Sequence, residues 1–275
     1  MDRTIKGIKK MRKTKIRNAL LVATTAALVS IQAQATEIQV LATGAVSGAF
    51  SKLVPLFERE TGDTVHLSWG PSFGASKDAL PVRIRNGEPV DVVIMVGSAL
   101  DQQINAGQFV ASTRVDLAQS GIGVGVRAGA SKPDIRSAQA LKATLLNARS
   151  IGYSEGASGT YIAGTLLRKL GVADQVSGKT VLVKGKELVG EAVARGDVEV
   201  GLQQISELRA VPGVDYVGPL PANLQKSSLI SAAIATNSPA RISAKAFLAF
   251  LSSPESAQAL IQSGLDPITS GPGRN

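Results

Sequence analysis

Glu37-Ile38-Gln39-Val40-Leu41-Ala42-Thr43-Gly44-Ala45-Val46-Ser47-Gly48-Ala49-Phe50 is the stretch on which the fold turns. Glu37 to Leu41 read as a strand. Thr43 to Gly48 form a loop of small and hydroxyl residues. Phe50, Leu53, Val54 and Phe57 then recur at helical spacing up to Thr61-Gly62. Pro55 lies inside that helix, so a kink or a delayed start is expected. The order is strand, glycine-bearing loop, amphipathic helix.

The same order recurs along the chain. Val65 and Leu67 alternate with His66 and Ser68 as a second strand, which puts His66 on the opposite sheet face, as a structural histidine if that face is covered. Asp78 to Asn86 read as a helix closed by Gly87. Val90 to Val96 is a nearly continuous apolar run, as in a strand buried on both faces. Strands are expected at Gly121–Val126, Ser150–Tyr153, Val181–Val183, Val198–Leu202, Asp215–Val217 and Leu229–Ala235. Helices are expected at Ala138–Ala148, Gly159–Leu170, Glu187–Arg195, Ala240–Leu251 and Pro254–Ser263. Such alternation implies an α/β fold with mainly parallel sheets flanked by helices. The Pro/Gly-rich tail from Pro267 to Asn275 is expected to fray.

Outward from this body, residues 1–35 read as a secretory signal. Eight Lys and Arg residues crowd the first 17 positions, Ala19 to Ile31 is uncharged and apolar, and Ala33-Gln34-Ala35 has the small-x-small pattern of a cleavage site. A start at Met11 would leave a sufficient signal. The apolar run is too short for a membrane anchor. The whole chain carries 30 Lys+Arg against 21 Asp+Glu. Removing the eight basic residues and Asp2 of the leader leaves 22 against 20, a net +2, so a nucleic-acid reading loses its basic face. The chain has no Cys and one His, which excludes thiol catalysis, iron–sulfur sites and multi-histidine metal centres. No cofactor is expected, and the periplasm is the expected location.

In open α/β sheets ligands gather where strands run into helix N-termini, whose free N–H groups favour anions. Four loops qualify: Thr43–Gly48, Gly70–Ser76, Glu155–Thr160 and Lys184–Lys186. Each alone reads more readily as ordinary N-capping. Four together, two in each half, point to a shared anion site.

Gly74-Ala75-Ser76, then Ala79-Leu80, Ile84, and Gly87-Glu88-Pro89-Val90-Asp91-Val92 resemble the molybdate-type periplasmic solute-binding proteins of ABC importers. Asp197-Val198-Glu199-Val200-Gly201-Leu202 before a Gln pair is similar to that family's late strand. The resemblance implies a two-lobe, type II-like binding-protein fold with two crossing strands as hinge, near Ala118–Gly125 and Ser228–Ala235. Lobe one would be 36–118 plus 232–275, and lobe two 119–231. It implies a monomer that closes on a small anion and delivers it to an inner-membrane permease. The implied ligand-binding residues are Thr43, Gly44, Ala45, Ser72, Ser76, Arg83, Ser158, Gly159, Gln203 and Gln204.

Departures from the pattern favour an organic polycarboxylate over molybdate. Gln203-Gln204 stand where the molybdate binders carry Tyr, and Arg83 offers a fork that matches a carboxylate. The same scaffold carries aconitate isomerase, whose allylic proton transfer needs one or two acid–base groups and no metal. For that reading Glu155 and Tyr161 are the catalytic candidates, with Tyr153 and Lys186 beside them. Core packing competes as a role for Tyr161, a solvated helix position for Arg83, and ordinary surface positions for Lys184 and Lys186; Trp69 is placed to line a cleft. A non-catalytic envelope protein is the third reading.

Overall fold

A computed structural model describes residues 35–268. The expected signal segment, apart from Ala35, and tail residues 269–275 lie outside this range. The chain runs β1 (Glu37–Ala42), α1 (Ser47–Thr61), β2 (Thr64–Trp69), α2 (Leu80–Arg85), β3 (Val92–Val96), α3 (Gly97–Asn105) and β4 (Val115–Ser120). Next come β5 (Ile122–Arg127), α4 (Ala138–Asn147), β6 (Ile151–Ser154), α5 (Ala157–Tyr161), α6 (Leu167–Lys169), α7 (Ala173–Val176), β7 (Thr180–Val183), α8 (Val189–Arg195), β8 (Val200–Gln204), α9 (Ile205–Ala210) and β9 (Val214–Pro219). It ends with β10 (Ser228–Ile234), α10 (Arg241–Leu251), α11 (Pro254–Ser263) and β11 (Asp266–Pro267).

The strands form two sheets, ordered β11-β4-β10-β3-β1-β2 and β7-β6-β8-β5-β9. Both are mixed. Each has a parallel trio, β2-β1-β3 and β7-β6-β8, extended by antiparallel strands. The chain passes from the first sheet to the second at Ser120–Ile122 and returns through residues 220–227, since β10 pairs wholly within the first sheet. At the first passage the Gln225 side chain imitates a strand. Its Oε1 accepts Ile122 N–H at 2.7 Å and its Nε2 donates to Ile122 O at 2.9 Å.

The first sheet is buried because its strands are apolar throughout: all five residues of β3 are buried. The stripe Phe50, Leu53, Val54 and Phe57 of α1 packs onto it. Phe247 of α10 meets Phe50 and Phe57 edge-on, with centroids 6.0 and 5.0 Å apart. Each fully buried ring contributes roughly 2 kcal/mol. Pro55 does not delay α1, which starts at Ser47 and includes it. Pro55 is exposed, so the carbonyl that loses its partner can face water. Asp91 is buried yet satisfied: Oδ2 accepts Gln39 N–H at 2.8 Å and Oδ1 accepts Ser238 Oγ–H at 2.6 Å.

Some expectations change. His66 lies on edge strand β2, half exposed, with Nε2 3.5 Å from a Glu37 carboxylate oxygen; no layer covers it. The helix expected from Gly159 starts at Ala157 and contains a π-turn at Ile162–Leu166 before α6. Pro267, expected to begin a frayed tail, pairs with β4 together with Asp266. Among the described residues no helix is long and apolar enough to cross a membrane.

Candidate functional site

The C-terminal ends of the parallel trios open onto one cleft of about 530 Å³ between the sheets. From the first half, Thr43, Gly44 and Ser47 follow β1, Trp69 to Ser72 follow β2, and Val96 ends β3. From the second half come the start of α5 with Ser158, the segment Gly185–Leu188, the exposed side of α8, and Gln203, Gln204 and Glu207 around the end of β8.

The two halves already touch at the rim. A Cβ added at Gly74 would come within 2.9 Å of Glu155 Oε2, and one at Gly185 within 2.5 Å of Asp78 Oδ2. Glu155 Oε1 accepts the Gly185 N–H at 2.7 Å, which fixes the loop carrying Lys186. Thr43, Ser72, Ser158, Gln203, Gln204 and Glu207 are all buried polar residues, an expensive concentration unless it is hydrogen-bonded or meets a ligand. Ser72 Oγ accepts Val96 N–H at 3.0 Å. Ser47 Oγ and Gln204 Oε1 are buried with no partner among the described residues, and both residues line the cleft.

Of the residues expected to bind ligand, Thr43, Gly44, Ser72, Ser158, Gln203 and Gln204 line this one space. The others stand elsewhere. Ala45 is packed in the first core. Ser76 does not reach the cleft lining. Gly159 lies behind it, where a Cβ would fall 1.5 Å from Ser154 O; only a glycine lets α5 start so close to β6. Arg83 grips both carboxylate oxygens of Glu88 and donates to Trp69 O at 3.0 Å. It braces the end of β2 from behind rather than presenting its fork to the cleft. That hydrogen-bonded pairing holds the Glu88 carboxyl below its ordinary range. Tyr161 is a core tether: its hydroxyl donates to Leu224 O at 2.8 Å, and burial raises its pKa. Glu155 is likewise committed, to Gly185. Lys186 lines the cleft as an exposed side chain, while Lys184 and Tyr153 do not line it.

The sequence reading missed Glu187, Glu191, Arg195 and Glu207. Arg195 pairs with Glu187 and lies 2.9 Å from Asp197, and Glu191 Oε2 accepts Leu188 N–H at 2.7 Å. Glu207 differs from these. It is buried, and what favours its charged form is the neighbouring Gln203 side chain and Gln204 backbone, with no cation paired to it among the described residues. Burial pushes its pKa up to about 7 against those two stabilising neighbours. The local signal for Glu207 was a Glu in the first turn after the Gln pair, which reads as plain capping.

Residues 38–266 match the family described as bacterial extracellular solute-binding protein. Aconitate isomerase of a Pseudomonas species is 41% identical over 254 residues, covering 92% of this chain and 96% of that one. The molybdate-binding protein ModA of Azotobacter vinelandii is 27% identical over 194 residues, 69% of this chain and 73% of that one. The solved periplasmic molybdate-binding protein of A. vinelandii shares the fold, with a TM-score of 0.68 at 20% identity over 83% of this chain and 98% of that one. A cleft at the strand ends of two facing sheets, within a match that runs from β1 to β11, makes this chain a member of the bacterial extracellular solute-binding protein family.

Proposed function

We propose that this protein is a periplasmic enzyme that clasps a small tricarboxylate between its two lobes and moves the double bond of aconitate. The observation that carries the reading is the character of the cleft. About 530 Å³ is the scale of an organic-ligand pocket rather than of a four-oxygen cradle. Its lining combines neutral hydroxyl and amide groups with five charged side chains, among them an exposed lysine, Lys186, which forms no ion pair among the described residues. Several carboxylates spread over one molecule fit such spaced donors. The 41% identity to an aconitate isomerase over nearly the full length of both chains supports the same reading.

The chemistry is redox-neutral. A base takes a proton from the methylene carbon, breaking that C–H bond. The electron pair joins the allyl system beside a carboxylate. A proton then bonds to the far allylic carbon, leaving the double bond one position along. The protein must hold the carboxylates, exclude water and carry a proton. The passages at 120–122 and 220–227 would serve as the hinge, with the lobes on either side.

A second reading is a receptor that hands an anion to an ABC permease. It is favoured by the family match and by the rim contacts at Gly74 and Gly185, which suit jaws that close on cargo. A thermal-shift panel tests the ligand class, since binding only to the folded state raises the melting temperature. Aconitate and propane-1,2,3-tricarboxylate are expected to raise it while molybdate and sulfate leave it unchanged. The reverse pattern contradicts the tricarboxylate reading.

A further inference from the structure

We propose that Glu207 is the acid–base residue of this cleft, taking the proton from one allylic carbon of the bound tricarboxylate and returning it to the other. The inference rests on the isomerase reading and adds the group that performs it.

Position is the first argument. Glu207 lines the cleft from α9, a helix that follows β8 of the second sheet yet packs against α1 and the Gly44–Val46 turn of the first half. It therefore sits where the two halves meet. A Cβ on Gly44 would lie 2.9 Å from Glu207 Oε1 and 2.8 Å from a Leu188 methyl. The bare glycine lets the carboxyl sit against the turn that follows β1.

Occupancy is the second. Among the cleft carboxylates Glu187 is held by Arg195 and Glu191 by the Leu188 N–H. Among the described residues, Glu207 alone of these is buried and without a cation partner. A cleft that only held a polyanion would gain nothing from a buried carboxylate, because like charges repel and neither is well hydrated there. A group that alternates between carboxylate and carboxylic acid is useful there. Its raised pKa, near neutral, suits transfer in both directions.

Balance is the third. Glu207 as carboxylate accepts H⁺ from the methylene carbon: the C–H bond breaks and an O–H bond forms. The resulting carboxylic acid gives that proton to the opposite allylic carbon: the O–H bond breaks and a new C–H bond forms. The residue ends as it began, and no oxidant, reductant or co-substrate is consumed.

The test compares wild type, Glu207→Gln and Glu207→Asp in cis-to-trans aconitate conversion and in binding of propane-1,2,3-tricarboxylate. Glutamine matches glutamate in size and keeps an acceptor oxygen at the start of α9, so the helix start is kept. The expected result is a fall in turnover of about 10²- to 10⁴-fold for Glu207→Gln, with tricarboxylate affinity retained or raised, since a like charge has been removed from the cleft. Glu207→Asp, which keeps an ionisable carboxyl one methylene further back, should recover at least about tenfold of that loss. If wild type turns over and Glu207→Gln does too within about fivefold, the role of Glu207 is overturned and the isomerase reading stands. If the Asp and Gln variants lose activity equally, the proton role is again overturned. If wild type binds the tricarboxylate but converts no aconitate, the isomerase reading fails and takes the role with it.

Discussion

The two walls of the cleft are built alike and chemically unlike. Each uses the ends of parallel strands and the glycine-bearing turns that follow them. Yet every residue that the first half contributes is neutral, and every charged side chain in the lining (Lys186, Glu187, Glu191, Arg195 and Glu207) belongs to the second. The first wall offers hydroxyls and backbone; the second holds the groups that can change protonation or steer charge. The first wall would serve any small oxyanion. On this account it is the second that turns a binding scaffold toward organic acids and proton transfer.

The contrast can be broken most severely at Gly159. A Cβ there would overlap Ser154 O at 1.5 Å, a backbone atom that cannot swing aside. Gly159→Ala should therefore lower stability by about 3 kcal/mol or more and remove the Ser158 corner from the second wall. Urea denaturation checks this; a loss below about 1 kcal/mol would mean that α5 does not need its close approach to β6.

The next effect separates the walls by pH. Glu207 has a folded pKa pushed up from 4.5 to about 7. A carboxyl with a raised pKa stabilises the fold fully below its unfolded value, and the benefit disappears as pH rises through the folded value. Between about pH 4.5 and pH 7 wild type should lose about 3 kcal/mol relative to Glu207→Gln. Parallel stability profiles for the two proteins would contradict the burial of an ionisable carboxyl in the second wall.

The smallest effect belongs to Lys186. It is exposed and forms no ion pair among the described residues, so Lys186→Ala should weaken tricarboxylate binding only several-fold at low salt, and less at high salt, as screening removes the exposed charge. A salt-independent loss would instead make it a buried ligand contact.

The walls also differ in how well they were legible in the sequence. The neutral loops stand out because strand, glycine and hydroxyl residues lie consecutively, and Thr43, Gly44, Ser72 and Ser158, which line the cleft, all lie in such loops. Strand β3 was legible from its unbroken apolar run, and α11 from Pro254 at its start and Gly264 at its end, where φ is +93°. Helix α9 was not legible: six residues give too little periodicity. With it went Glu207, whose meaning depends on Gly44, more than 160 positions earlier in the chain. Arg83 was misread for a similar reason. Only the folded turn after α2 brings Glu88 back to its guanidinium, and a fork that looks free along the sequence is already full.

The central claim is tested most directly by following purified protein and cis-aconitate by proton NMR. Trans-aconitate is expected to appear catalytically, at a rate proportional to protein concentration. An unchanged cis-aconitate spectrum at high protein concentration, from a protein whose melting temperature aconitate nevertheless raises, would contradict it and leave a receptor.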